Sequence, residues 1–508
     1  MTVGGERTDF DVIVIGGGTA GMTVATQIAR AGRRVALIES DRTGGDCLYT
    51  GCVPSKSLIA SARLAQSIRD AHAFGIDVGP PRIDLTRVMA RKQRIIERIA
   101  VADSPETLER AGVTVLTGLA RFLDPHVVSL DDRRLRADRL VIATGSRPAI
   151  PPIPGLVETG YLTNEGLMEL RTLPARLAVI GAGPLGLELG QTFSRLGSQV
   201  TVIERGDRVL PRDDAEIAEI ARAALEREGV TLHLGAEILR AERDGDGRRL
   251  TLRDAANAEH IIEADAILVA TGRMPDVDDL GLEAAGVALD GHRVRVDKRL
   301  RTTASHIWAC GDVIGPPYFT HVAEDQARTV AANVLGGRAT WSVRAIPWAT
   351  FTDPEVAGVG MTERAARERY GDELEVLRLP FEHVDRAVTD GVADGLIKLL
   401  LAPGWMRGQL GGEIVGAHVV GPRAGEVVQQ FAFQITWRLP AGLLVKTVQT
   451  YPTYSLGGRQ ALGLHWRRRA DAASPSRFSR LARRLDDLYQ SNIRSREERS
   501  AVAQDNDR

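Results

Sequence analysis

The strongest constraint on the fold is a pattern that occurs twice. Phe10 to Ile15 is a short apolar run suited to a buried parallel strand, and Gly16-Gly17-Gly18-Thr19-Ala20-Gly21 follows it. A helical pattern covers Met22 to Ala31, and a second apolar run, Val35 to Ile38, ends in Glu39. This is the strand, Gly-x-Gly-x-x-Gly, helix, strand, acid order of a dinucleotide site. Gly16 permits the tight turn, Gly18 admits the pyrophosphate to the backbone, and Gly21 lets helix and strand pack closely. Glu39 accepts hydrogen bonds from a ribose hydroxyl. The unit recurs as strand Leu177 to Ile180, turn Gly181-Ala182-Gly183-Pro184-Leu185-Gly186, helix Leu187 to Leu196 and strand Val200 to Ile203. Its acid, Glu204, stands at the same offset from Gly181 as Glu39 does from Gly16. One such motif is often only a tight turn, whereas two in full context specify two nucleotide sites. A second echo agrees. Two apolar strands end in Ala-Thr-Gly, one at Thr144 and Gly145, the other at Thr271 and Gly272, where a glycine lets the chain turn beside a cofactor.

Between the two units lies Gly44-Gly45-Asp46-Cys47-Leu48-Tyr49-Thr50-Gly51-Cys52-Val53-Pro54-Ser55-Lys56. A disulfide across so short a loop removes little unfolded-state entropy and is a poor staple. Pro54 reads as an early helix position, which puts Cys52 at a helix N-terminus, where a thiolate is favoured. The bland alternatives are two buried thiols or half of a zinc site. Zinc would need two further ligands, and no second cysteine pair exists; no metal site is expected. The remaining cysteine, Cys310, reads as a small buried residue. Lys56 stands out because the chain has few lysines and many arginines. A formal net charge of −1 gives no nucleic-acid footprint over the whole chain. No apolar run approaches a membrane span, and the first nine residues lack the apolar core of a signal peptide. The chain therefore reads as cytoplasmic, where a disulfide is more often catalytic than structural.

Two dinucleotide sites, a Cys-x4-Cys pair and the Gly311-Asp312 motif together resemble the pyridine nucleotide-disulfide oxidoreductases, over about residues 8 to 460. The resemblance implies an α/β fold with two Rossmann-like dinucleotide-binding domains plus a C-terminal α+β dimerisation domain. The expected domains are FAD-binding (8–150 and 275–342), NAD(P)-binding (151–274) and dimerisation (343–464). It implies a homodimer, FAD at the first site and NADH or NADPH at the second. Cys52 is then the thiolate nearer the flavin, and Cys47 the interchange thiol. Lys56 lies near the reactive flavin nitrogen and pairs with Glu188. Asp312 binds the FAD ribityl chain, Arg273 follows the second Ala-Thr-Gly, and Gly45 joins the cofactor contacts. Glu204 repels a 2′-phosphate and favours NADH, partly offset by Arg205 and Arg208. His321 and His418 read as structural histidines.

The chain departs from the family near its end. Many members carry His-Pro-Thr-x-Ser-Glu, whose His serves as proton donor and acceptor; here the stretch is Tyr451-Pro452-Thr453-Tyr454-Ser455-Leu456. A tyrosine with a pKa near ~10 is a poor substitute for a His near neutrality. This argues against efficient lipoamide or glutathione turnover and toward a mercuric reductase-like subgroup. No cysteine follows Cys310, so the vicinal C-terminal pair of mercuric reductase is missing. The acceptor is thus left as a small-molecule disulfide, a metal ion or a quinone. A dihydrolipoyl dehydrogenase is the alternative, and a redox-sensing or partner-binding flavoprotein is the alternative of another class. Residues 465–508 read as a basic amphipathic tail, with Phe478, Leu481, Leu485 and Leu488 at helical spacing, suited to a membrane surface or a protein partner.

Overall fold

The computed structural model describes residues 8–342, 344–392, 394–403 and 410–473. The expected amphipathic stretch of the tail lies outside them. The chain divides into two compact units, with the boundary between Gly358 and Val359. The class is α/β.

In the first unit, strand Phe10–Ile15 lies between Val35–Glu39 and Arg133–Ile142, parallel to both. Val113–Thr117 extends the sheet beyond Val35–Glu39. Ile307–Ala309 adds in parallel to Arg133–Ile142, so a late segment of the chain completes the first nucleotide domain. The central strands carry apolar runs at residues 12–15, 35–38 and 140–142 because both faces are covered there. Val12, Val14 and Leu37 pack with Val24, Ile28 and Val330 on one side, and Ile13, Ile15 and Ile38 with Phe122, Leu140 and Val313 on the other. The second sheet repeats the scheme with Thr231–Leu234, Gln199–Glu204, Arg176–Ile180 and Ala266–Val269, all parallel. A three-stranded antiparallel meander, Glu237–Asp244, Gly247–Arg253 and Glu259–Ala264, is inserted before its last strand.

The two Ala-Thr-Gly strand ends lead directly into each other. Ser146–Pro148 pairs antiparallel with Arg273–Pro275, Thr144 Oγ1 donates to the Asp276 carbonyl at 2.6 Å, and Thr271 Oγ1 donates to the Ala149 carbonyl at 2.8 Å. This crossed ribbon joins the two nucleotide halves.

In the second unit, strands Glu375–Pro380, Leu396–Ala402 and Glu413–Gly421 form an antiparallel sheet. His418 is buried on the last strand and bonds the Met361 carbonyl at 2.7 Å. One helix, Leu456–Ala473, runs across the 464/465 boundary drawn for the tail. It is held there by His465, buried and bonded to Glu375 at 2.5 Å. Among the described residues no helix is long and apolar enough to cross a membrane.

Candidate active site

The two glycine turns are built alike. Gly16 and Gly181 sit at φ +104° and +108°, conformations that L side chains rarely adopt. A Cβ on Gly21 would fall 1.8 Å from the Gly16 carbonyl, and one on Gly186 would fall 2.0 Å from the Gly181 carbonyl. The helices that follow, Thr19–Arg30 and Pro184–Leu196, have Gly18 and Gly183 as N-caps, with no side-chain hydrogen bond at either. Space beside both glycines is open. Unbonded helix N–H groups facing open space are what a pyrophosphate requires, so both turns fit a dinucleotide. The acids are twinned as well. Glu39 accepts from Gly17 N at 2.6 Å and Asp41 N at 2.8 Å; Glu204 accepts from Ala182 N at 2.9 Å and Gly206 N at 2.8 Å.

The cysteine loop is laid on the first turn. Gly44 N donates to the Gly17 carbonyl at 2.9 Å, and Gly45 packs on Gly18 so closely that a Cβ would lie 2.9 Å from its Cα. A short helix, Gly45–Tyr49, carries Cys47, and a long one, Cys52–Arg69, begins at Cys52. Gly51 joins them. Its N–H donates to the Asp46 carbonyl at 2.6 Å, and a Cβ there would meet that oxygen at 2.9 Å and the Cys47 Cα at 3.3 Å. Only a glycine folds the chain back this tightly, and the fold-back brings the two thiols together. Each thiol is the largest influence on the other's titration, and Thr320 Oγ1 lies 3.4 Å from Cys52 Sγ. The Cys47 thiol lowers the Cys52 pKa to about 6, against the opposing cost of burial; Thr320 and the Lys56 charge lower it further. Cys47 is correspondingly raised. The pair is polarised, with the charge on Cys52 and the proton on Cys47.

One helical turn after Cys52, Lys56 Nζ binds Glu188 Oε2 at 2.7 Å and lies 4.4 Å from the centre of the Phe351 ring. Glu188 is buried on the helix of the second glycine turn, and its other oxygen accepts from Phe351 N at 2.8 Å. Arg273 donates to the Ser146 hydroxyl at 2.7 Å and carbonyl at 2.8 Å. It also pairs with Asp46 at 3.0 Å, with Asp312 at 3.8 Å. Asp312 accepts from the Ser146 hydroxyl at 2.5 Å. Asn164, buried, donates to Asp46 and to the Thr50 carbonyl.

Thus Cys47, Cys52, Lys56, Glu188, Arg273 and Asp312 gather around the first turn, as do Gly45, Thr144 and Gly145 by chain continuity. Thr320, Ser146 and Asn164 also belong there, and sequence reasoning missed them, since nothing local marks a residue 268 positions away as a thiol partner. Cys310 is fully buried and its thiol is pushed up to about 12 by burial. His321 bonds the Pro347 carbonyl at 2.9 Å. Tyr451 belongs to the second unit. It is 66% exposed, and its hydroxyl donates to Asp385 at 2.9 Å, so it has a carboxylate partner although Leu456 cannot supply one. That bond raises the phenol above its usual range. No grouping of three or more His, Cys, Asp or Glu arranged to hold a metal occurs among the described residues.

The profile described as pyridine nucleotide-disulphide oxidoreductase matches residues 10–327, and that of the family's dimerisation domain matches residues 346–461. The chain belongs to the pyridine nucleotide-disulphide oxidoreductases. It is therefore an enzyme of a flavoprotein family that binds FAD and uses NAD(P)H, and its dimerisation domain supports a homodimer. It is 34% identical to a mercuric reductase of Bacillus cereus over 456 residues, 89% of this chain and 71% of that protein. It is 35% identical to a dihydrolipoyl dehydrogenase of Thermus scotoductus, over 89% of this chain and 96% of that one. Among solved structures it resembles the Cu(II) complex of the HOCl-induced flavoprotein disulfide reductase RclA from Escherichia coli. The TM-score is 0.79 and the identity 30%, over 89% of this chain and 99% of that one.

Proposed function

We propose that this oxidoreductase passes electrons from NADH to the Cys47–Cys52 disulfide, and that the resulting dithiol reduces a metal ion or a small disulfide. The polarised thiol pair at the start of the Cys52 helix, one turn from the Lys56–Glu188 ion pair, carries the reading. FAD, held by Gly16, Gly18, Gly21, Glu39, Gly45, Thr144, Gly145 and Asp312, supplies two-electron chemistry between nicotinamide and disulfide when bound.

The protein's own groups do the rest. Two electrons and one proton convert the disulfide into a Cys52 thiolate and a Cys47 thiol. Lys56, fixed by Glu188, offsets negative charge that develops beside it. For a disulfide acceptor, Cys47 gives up its proton and attacks one sulfur, and one thiolate leaves. Cys52 then attacks Cys47, expels the second thiolate and restores the internal disulfide. Tyr451 is the group proposed at the acceptor in place of the family His. A phenol whose O–H is held by Asp385 serves a leaving thiolate poorly, which weighs against disulfide acceptors, the dihydrolipoyl dehydrogenase alternative included, and favours the metal ion. Gly181, Gly183 and Gly186 are assigned to the nicotinamide nucleotide, with Gly272 and Arg273 on the ribbon beside them. Glu204, anchored by two backbone N–H groups, places a carboxylate at the ribose and favours NADH over NADPH.

The test is an anaerobic titration with NADH, followed by a steady-state screen of Hg(II), Cu(II), low-molecular-weight disulfides, dihydrolipoamide and quinones. NADH should give a long-wavelength charge-transfer band that Cys52→Ala abolishes. Acceptor turnover should require Cys47. A band that survives Cys52→Ala would sink the assignment.

A further inference from the structure

We propose that Asp46 is a specificity-determining residue, whose carboxylate, one position before Cys47, biases the dithiol toward cationic electron acceptors and against anionic ones. The inference rests on the reading of Cys47 as the thiol that meets the acceptor.

Three partners fix the carboxylate beside the reactive pair. Oδ2 lies 3.0 Å from Arg273, while Oδ1 receives Asn164 Nδ2 at 3.3 Å and the Thr50 hydroxyl. Asn164, 2% exposed, also grips the Thr50 carbonyl at 3.1 Å, so the short helix bearing Asp46 and Cys47 is held at its end. The Asp46 side chain remains 38% exposed, which leaves its charge open to an incoming ion.

That charge is not cancelled locally. Arg273 commits Nε and one terminal nitrogen to Ser146, and Asp312 lies 3.8 Å from the same guanidinium. Two carboxylates therefore share one cation. Lys56 is matched by Glu188. Of these groups, Arg273 and Lys56 are outnumbered by Asp46, Asp312 and Glu188, so Asp46 keeps part of its charge. The carboxylate acts on both sulfurs, raising each thiol. Two consequences follow. A cation is concentrated at Cys47 and an anion is repelled. The reduced pair, which carries a thiolate, is destabilised relative to the neutral disulfide, which makes the dithiol a stronger reductant.

The experiment uses the full-length FAD-loaded enzyme, with flavin content as the check on folding. NADH oxidation is measured for wild type, Asp46→Asn and Asp46→Glu with Cu(II) and with the dianionic disulfide 5,5′-dithiobis(2-nitrobenzoate), at low and high ionic strength. Asp46→Asn keeps the shape and the acceptor atom for Asn164, and removes the charge together with the acceptor that faces Arg273. It should raise KM for Cu(II) about fivefold and lower KM for the dianion by a similar factor, and salt should shrink both differences. Asp46→Glu should return both toward wild type. Shifts of the same sign for the two acceptors, or failure of Asp46→Glu to rescue, would overturn the proposal. Should Cys47→Ser reduce both acceptors at the wild-type rate, the electrons bypass the pair, and the reading of Cys47 falls instead.

Discussion

Replacing Thr320 by valine removes the hydroxyl that lies 3.4 Å from Cys52 Sγ, with nearly unchanged volume. A hydrogen bond to a charged group contributes roughly 1.5–3 kcal/mol, and the long contact to sulfur puts this one at the low end. About 1.5 kcal/mol corresponds to about one pH unit in the thiolate pKa. Wild-type Cys52 is lowered to about 6, chiefly by Cys47, with Thr320 and Lys56 adding to it. Thr320→Val should therefore titrate near about 7, and Thr320→Ser should return toward wild type. The sign is fixed by the charged form: the thiolate exists above its pKa and is lost as pH falls through it. The assay is the charge-transfer absorbance of anaerobic, NADH-reduced enzyme titrated from pH 8.5 downward, from roughly two units above the expected midpoints. An unchanged midpoint, with the band intact in Thr320→Val, would refute the idea that this hydroxyl stabilises the thiolate. A midpoint that moves downward would mean that valine's apolar bulk favours the charge, contrary to the desolvation argument.

Glu188→Gln keeps the bond from Phe351 N but removes the charge paired with Lys56; flavin reduction by NADH, followed by stopped flow, should slow about tenfold. Gly51→Ala should separate the thiols, because its Cβ would strike the Asp46 carbonyl; thiol titration after oxidation should find the internal disulfide no longer forming quantitatively. Asp213, buried and bonded by Trp348 Nε1 at 2.6 Å, has its pKa raised by burial to about 6. The folded state thus binds the extra proton between the ordinary carboxylate pKa and about 6, and its stability falls as pH rises through that window. Asp213→Asn should accordingly raise Tm at pH 8, roughly two units above that pKa, and the gain should vanish near pH 4 in differential scanning calorimetry. Equal gains at both ends would discount the buried charge.

Much of the first unit was legible in the chain because its chemistry is local. A glycine that admits a pyrophosphate must stand at a fixed offset from the strand before it and the acid after it, so Gly16, Gly18, Gly21 and Glu39 announce themselves, as do Gly181, Gly183, Gly186 and Glu204. Pro54 gave the start of the Cys52 helix for the same reason. Thr320, Ser146, Asn164 and Asp385 were not legible. Each reaches its partner through tertiary packing, and Ser, Thr, Asn and Asp occur too often for their position to carry a signal. The Ala-Thr-Gly echoes were found as a pattern but not for what they build. Periodicity marks Thr144 and Thr271 as strand ends, and says nothing of the antiparallel pairing that ties Ser146 to Pro275.

The Lys56–Glu188 bond has a mechanical consequence. It bridges the helix that starts at the reactive cysteine and the helix that starts at the second glycine turn. A clamp that opened the second nucleotide half away from the first would have to break this brace and unzip the ribbon in the same stroke.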